Sequence, residues 1–419
     1  MNDWVNLLWV WEWGAYALIV LVGVYLMVCF LFSFTRKSDA GPMTAFPFIS
    51  VVIPIYKESP ETLRPVLDSW AAVDYPNWEL IVADDTPVKP AVEYPPWVRV
   101  IRRDHREGYK GGALRAASEQ LSPRAEWMAV FDGDARVPPG ALRRAATHFA
   151  PGVAIVQGYQ RQSSSGGMGR RTDLLARFVM GTHWIANRLL YGRWLMGGFV
   201  CSQGTSMFYR LSSVRSIGGL APYVTANEDL DTSFRLKQAG HKVIYDPELV
   251  GDGEAPLTVR HFVHQQIRWT SSTVREYRRH FIGFVRSSKP SRKEKVDSAL
   301  FLLTWVLGLV VTPTLAFIPI LFPLSSITGS FRWSWLGLLH AWPLWLPALY
   351  PLVIFTGYGI ARKSTKEAVT SLAAYFALLF IGYFIAFYSI FLGLTTDCPG
   401  FRVTPRSDST VHLPHRPVP

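Results

Sequence analysis

Four stretches without a charged residue, 13–35, 299–331, 333–361 and 368–396, constrain this chain more than any other feature. Each is long enough to cross a hydrocarbon core, which takes about 20 apolar residues. The sequence therefore predicts an integral membrane protein with a long polar middle. A charged fraction of 18%, with 16 Trp, 17 Tyr and 25 Phe, fits lipid-facing segments and excludes a disordered chain. The first stretch could be a cleaved signal peptide, but Asp3 and Glu12 precede it and no basic region does, which favours a retained anchor. Arg36 and Lys37 follow it, and Trp4, Trp9, Trp11 and Trp13 stand before or at its start. That asymmetry places the N-terminus outside and the polar middle in the cytoplasm.

Pro313, Pro319, Pro323 and Gly329 end the second span near Pro323, and the third returns to the basic Arg362, Lys363 and Lys366. Parity and charge then disagree. Either 368–396 bends back or lies against the bundle, which keeps Arg402 and Arg406 inside, or the tail is external; the first is favoured. Val274, Tyr277, Phe281, Phe284 and Val285 recur at helical spacing beside Arg275, Arg278, Arg279 and Arg286. This pattern describes an amphipathic helix in the headgroup region or, alternatively, a solvated helix packed on the polar domain. The net charge of +12 concentrates near the spans and no nucleic-acid motif accompanies it, so lipid rather than nucleic acid is the expected polyanion. Cys29, Cys201 and Cys398 have no spacing suited to a thiolate metal site or a disulfide framework.

Between these ends, the apolar runs 49–55, 80–83, 98–101, 128–131 and 153–156 read as strands buried on both faces of a parallel sheet, hence an α/β domain. Ser59 with Pro60 starts a helix and Gly240 stops another. Residues 163–169 are Ser- and Gly-rich and read as a loop. In such a fold, ligands bind beyond the carboxyl ends of the strands. Two strands run there into acids, Asp84-Asp85 and Asp132-Gly133-Asp134. Adjacent carboxylates need a cation or hydrogen bonds, and Asp-x-Asp suits a divalent metal shared with a diphosphate. Asn227-Glu228-Asp229 opens a helix, where Asp229 either caps amides or acts as general base toward a sugar hydroxyl. Gln265, Arg268 and Trp269, at i, i+3 and i+4, share one helical face carrying an amide, a cationic fork and an aromatic plate.

In order, Val52-Ile53-Pro54-Ile55-Tyr56-Lys57-Glu58, Asp84-Asp85, Lys110-Gly111-Gly112-Ala113-Leu114, Asp132-Gly133-Asp134, Asn227-Glu228-Asp229 and Gln265-Gln266-Ile267-Arg268-Trp269 resemble the family 2 membrane-integrated processive glycosyltransferases, such as the cellulose, chitin, hyaluronan and type 3 capsule synthases. The resemblance implies a GT-A-like α/β nucleotide-sugar-binding domain in the cytoplasm, inserted between transmembrane α-helices. It divides the chain into an anchor (1–45), a catalytic domain (46–265), interfacial helices (266–298), C-terminal membrane helices (299–396) and a cytoplasmic tail (397–419).

By position, the resemblance implies that Tyr56, Glu58, Asp84, Asp85, Lys110, Asp132 and Arg268 bind the donor. It makes Asp134, with Asp132, the ligand of Mg2+ or Mn2+, and Asp229 the catalytic base. Gln265, Trp269, Cys201 and Thr205 would meet the acceptor, while Phe401, Val403, Thr404 and Arg406 are similar to a gating loop. Lys57, Asn227 and Arg115 depart from the residues common in the family, which bears on the donor sugar rather than on the reacting acids. The expected function is inverting, processive polymerisation of UDP-sugars into a β-linked polysaccharide that leaves across the plasma membrane. The alternatives are a non-processive enzyme making a glycolipid and an inactive scaffold; the intact acids disfavour the latter.

Overall fold

The computed structural model describes residues 2–36, 45–87, 93–163, 170–221, 227–256, 258–327, 365, 369, 382 and 384–396. A long helix α1 (Asn2–Phe32) leads into β1 (Ile49–Ile55), α2 (Pro60–Ala71), β2 (Trp78–Asp84), β3 (Val98–Arg102) and α3 (Tyr109–Ser118). Then come β4 (Trp127–Val130), α4 (Ala141–Ala146), β5 (Val153–Ser163), α5 (Arg170–Leu195), β6 (Met207–Arg210) and α6 (Leu211–Ser216). The order closes with α7 (Glu228–Gln238), β7 (Lys242–Glu254), α8 (Val259–Arg286) and α9 (Arg292–Ile327).

Seven strands form one sheet in the order β3-β2-β1-β4-β6-β5-β7. All five runs expected as strands are strands. The sheet is mixed, however, because β6 runs antiparallel to both β4 and β5. A four-residue strand of Met-Phe-Tyr-Arg is too short to show a period in the sequence. The two faces bury separate apolar clusters, one around Trp70, Trp127 and Phe131, the other around Ile81, Met128 and Tyr209. Ser59 caps α2 by accepting from Thr62 N–H, and Gly240 leaves α7 at φ +90, as the sequence signals.

The face of α8 expected to meet lipid packs inward instead. Tyr277 and Phe284 join Phe199, Leu230 and Phe234, and Phe281 lies against them. The packed alternative therefore describes this helix, although Ile282 and Val285 stay exposed. It also runs unbroken through 265–266, where the sequence divides two regions.

Among the described residues, no helix is long and apolar enough to cross a membrane. The described helices thus do not carry the expected insertion of the domain between membrane spans. Most of 333–361 and 368–383, like the tail 397–419 with Phe401, Val403, Thr404 and Arg406, lies outside the described residues.

Candidate active site

Parallel strands β1, β2 and β4 end side by side, with Ile55 in register with Asp84 and Val52 with Val130. Their following loops, the segment 201–204, the first turn of α7 and one face each of α5 and α8 line a cavity of about 530 Å³. Tyr56, Glu58, Asp85, Lys110, Asp132, Asp134, Cys201, Asp229, Gln265, Arg268 and Trp269 all line it. Residues scattered over more than half the chain are thereby brought to one chamber.

Two expected residues do not line it. Asp84 is buried under the chamber, accepting from Arg102 Nη2 and Thr86 N–H, both at 2.9 Å. Arg102 is its cross-strand neighbour, so the carboxylate supports the sheet end rather than facing a donor. Thr205 acts from behind, its Oγ1 accepting the Asp132 N–H at 3.0 Å. Asp85 is held by both arms of Arg103.

Electrostatics bind the charged groups of the cavity into one unit. Lys110 Nζ donates to Asp132 Oδ1 at 2.6 Å and to the Gly204 carbonyl at 2.5 Å. Burial opposes its charge, but Asp132, Glu228 and Asp229 outweigh that and raise its pKa. Burial, then the neighbouring Glu228, pushes Asp229 up to about 8, with Lys110 pulling the other way. Burial likewise lowers the Arg268 pKa while Asp132, Glu228 and Asp229 oppose the shift. Gly204, at φ +79, lets the loop pass between Lys110 and Asp229.

Asp134 Oδ2 accepts the Glu254 N–H at 2.9 Å. Asp132 and Asp134, hard oxygen donors flanking Gly133 at the end of β4, fit Mg2+ or Mn2+ chemistry. A second cluster, Asp231, Glu276 and His280, brings ligand atoms within 4.8 Å of one another. Its acids are already matched: Asp231 accepts from Arg235 and His280, and Glu276 from Arg279. None of the three lines the cavity, so we read them as a strap between α7 and α8, not as the metal site.

Sequence reasoning missed the α5 wall, Thr182, His183, Ala186, Asn187 and Leu190, which recurs at helical spacing. His183 packs edge-to-face on Trp269 at 5.9 Å between ring centroids, and burial lowers its pKa to about 4. Arg106, also unforeseen, stacks on the Tyr56 ring at 3.4 Å.

An α/β sheet whose parallel strands end in an Asp-x-Asp cavity, with a carboxylate at a helix start opposite, defines a GT-A-type glycosyltransferase domain. Residues 47–272 match the family model described as Glycosyltransferase like family 2, and the chain belongs to that family. It is 25% identical over 293 residues to "Probable glucomannan 4-beta-mannosyltransferase 9" of Oryza sativa subsp. japonica, covering 65% of this chain and 54% of that protein. With "Glucomannan 4-beta-mannosyltransferase 2" of Arabidopsis thaliana the identity is 27% over 270 residues, 60% of this chain and 49% of the relative. The chain thus spans about half the length of these curated relatives. A mannosyltransferase of Pyrobaculum calidifontis, solved with GDP-Man and Mn2+, shares the fold at TM-score 0.54 and 17% identity, over 91% of this chain and 97% of that one.

Proposed function

We propose that the chain is an inverting, metal-dependent hexosyltransferase that elongates a β-linked polysaccharide at a membrane. The observation that carries this reading is the single chamber shared by Asp132, Asp134, Lys110, Asp229, Arg268 and Trp269. Asp229 takes the proton of the acceptor hydroxyl as it attacks the anomeric carbon; its raised pKa suits a base working near neutral pH. Lys110 and Arg268 face the departing nucleoside diphosphate, and Trp269 offers a face to the acceptor sugar. Asp132 and Asp134 hold a divalent cation, which supplies charge neutralisation of the diphosphate. Tyr56, Glu58 and Asp85 line the donor side, and Gln265 and Cys201 the acceptor side.

The motifs point to UDP-sugars, while the relatives' names point to mannosyl transfer and the Pyrobaculum calidifontis mannosyltransferase, solved with GDP-Man, adds GDP-mannose as a donor to test. Membrane attachment is supported by exposed apolar side chains on α1, among them Leu21, Val24, Val28 and Leu31, and by Phe384, Tyr388, Phe391 and Leu394 near the other end. Processive export and a plasma-membrane location with the catalytic domain in the cytoplasm belong to the same proposal. The test is a nanodisc preparation given Mn2+ or Mg2+ and a panel of UDP-hexoses and GDP-mannose, with nucleotide release and product size measured together. Polymer names the donor; glycolipid alone removes processivity, and no release from any donor sinks the reading.

A further inference from the structure

Gln162 sits near the end of β5 and is 4% exposed, and among the described residues its Oε1 has no hydrogen-bond partner. A buried amide oxygen left unpaired is costly, and native proteins rarely keep one without a use. The side chain stands in a wall common to two cavities. One is the active-site chamber; the other, of about 250 Å³, adds Arg161, Trp184 and Glu248. Tyr159, Gln162 and Asn187 line both. A Cβ built on Gly253 would lie 3.4 Å from Asp134 Oδ2 and 3.5 Å from Gln162 Nε2, so the amide flanks the proposed metal acid. A hexose offers hydroxyls that donate as well as accept, which matches an amide whose carbonyl lacks a donor.

We propose that Gln162 binds a hydroxyl of a hexose and that the two cavities form one continuous carbohydrate subsite around it. The proposal rests on glycosyl transfer as the function of the chamber. Its test is Gln162→Leu, with Gln162→Met as a second apolar variant, in the full-length protein in nanodiscs with Mn2+. Thermal unfolding is recorded, and UDP, GDP, their hexose conjugates and β-linked manno- and gluco-oligosaccharides are titrated. The unfolding temperature stays or rises, since an unpaired polar group is removed, and the nucleoside diphosphates bind as before. Hexose binding falls about 10-fold, in the nucleotide conjugate if the hydroxyl is the donor's and in the oligosaccharide if it is the acceptor's. A lower unfolding temperature with unchanged hexose affinity makes Gln162 structural and overturns the proposal, as does no change in either. Absence of any hexose binding by the unsubstituted protein is a different failure, since it sinks glycosyl transfer itself and removes the proposed ligand with it.

Discussion

Lys110 Nζ lies 2.6 Å from Asp132 Oδ1 and also faces Glu228 and Asp229, so one ammonium holds three carboxyl groups of the chamber together. Removing it as Lys110→Met leaves those acids without their nearest cation. Their pKa values should climb, and donor affinity should fall at least about 10-fold, or about 1.4 kcal/mol. The pH–rate profile checks this, because its acid-side midpoint, where the general base loses its proton, should move upward relative to the unsubstituted enzyme. An unmoved midpoint would show that Lys110 does not set the charge of Asp229.

Asp229 itself gives a pH prediction whose sign is opposite to that of a salt-bridged acid. Its folded pKa, about 8, lies above its unfolded value, so the folded state keeps the proton over that window. Stability contributed by this group is therefore lost as pH rises from about 4 toward 8. Asp229→Asn should unfold at a higher temperature than the unsubstituted protein at pH 8, and less distinctly so at pH 5. The same variant should lose turnover by roughly 10²- to 10⁴-fold, the usual share of a general base. Calorimetry at the two pH values with a rate assay checks both halves; a variant as active as its parent removes Asp229 from the chemistry.

The strands that carry the acids were legible because they are continuous apolar runs stopped by Asp, the pattern of buried parallel strands and their ligand-facing ends. β7 was not, since Asp246-Pro247-Glu248 and Gly251-Asp252-Gly253 interrupt it with charge and glycine. Asp84 misled for a related reason: it pairs in sequence with Asp85, but strand alternation sends the two side chains to different places. The α5 wall escaped because a helix face that lines a polar cavity carries Thr182, His183 and Asn187, the reverse of the apolar stripe that marks a buried helix.

That wall yields a third prediction. His183 braces the Trp269 ring edge-to-face, and such a pair adds about 0.5–1.5 kcal/mol beyond area burial. His183→Ala should raise the acceptor KM by about 2- to 12-fold and leave the donor KM in place. With the His183 pKa lowered to about 4, the imidazole stays neutral across pH 5–8, so it adds no limb to the pH–rate profile there. His183→Phe, which keeps an aromatic edge, should recover most of the acceptor affinity. Steady-state kinetics with each substrate varied in turn decides it; a change confined to the donor KM would assign His183 elsewhere.

Asp297, at the start of α9, ties the chamber to the surrounding helices. Its carboxylate accepts from Arg193 Nη2 and Tyr25 OH, each at 2.8 Å, and from the Phe199 N–H at 2.9 Å. Arg193 Nη2 also donates to the Phe199 carbonyl, so the segment leading to Cys201 and Gly204 hangs on this pair. Nothing larger than glycine fits beside it, since a Cβ at Gly198 would come 2.5 Å from Asp297 Cγ. Both partners are buried, and deleting one strands the other charge at a cost of about 3–5 kcal/mol. Asp297→Leu should therefore lower the unfolding temperature and raise the acceptor KM, because the cavity wall loses its anchor. The double variant Asp297→Leu with Arg193→Met removes both charges and should recover part of the lost stability. The acceptor KM should stay high in it, because the Phe199 amide and carbonyl remain without their partners. Thermal unfolding of the single and double variants, read beside acceptor kinetics, separates the stranded charge from the lost anchor. A double variant less stable than the Asp297→Leu single would show that stranded charge is not what the single substitution costs.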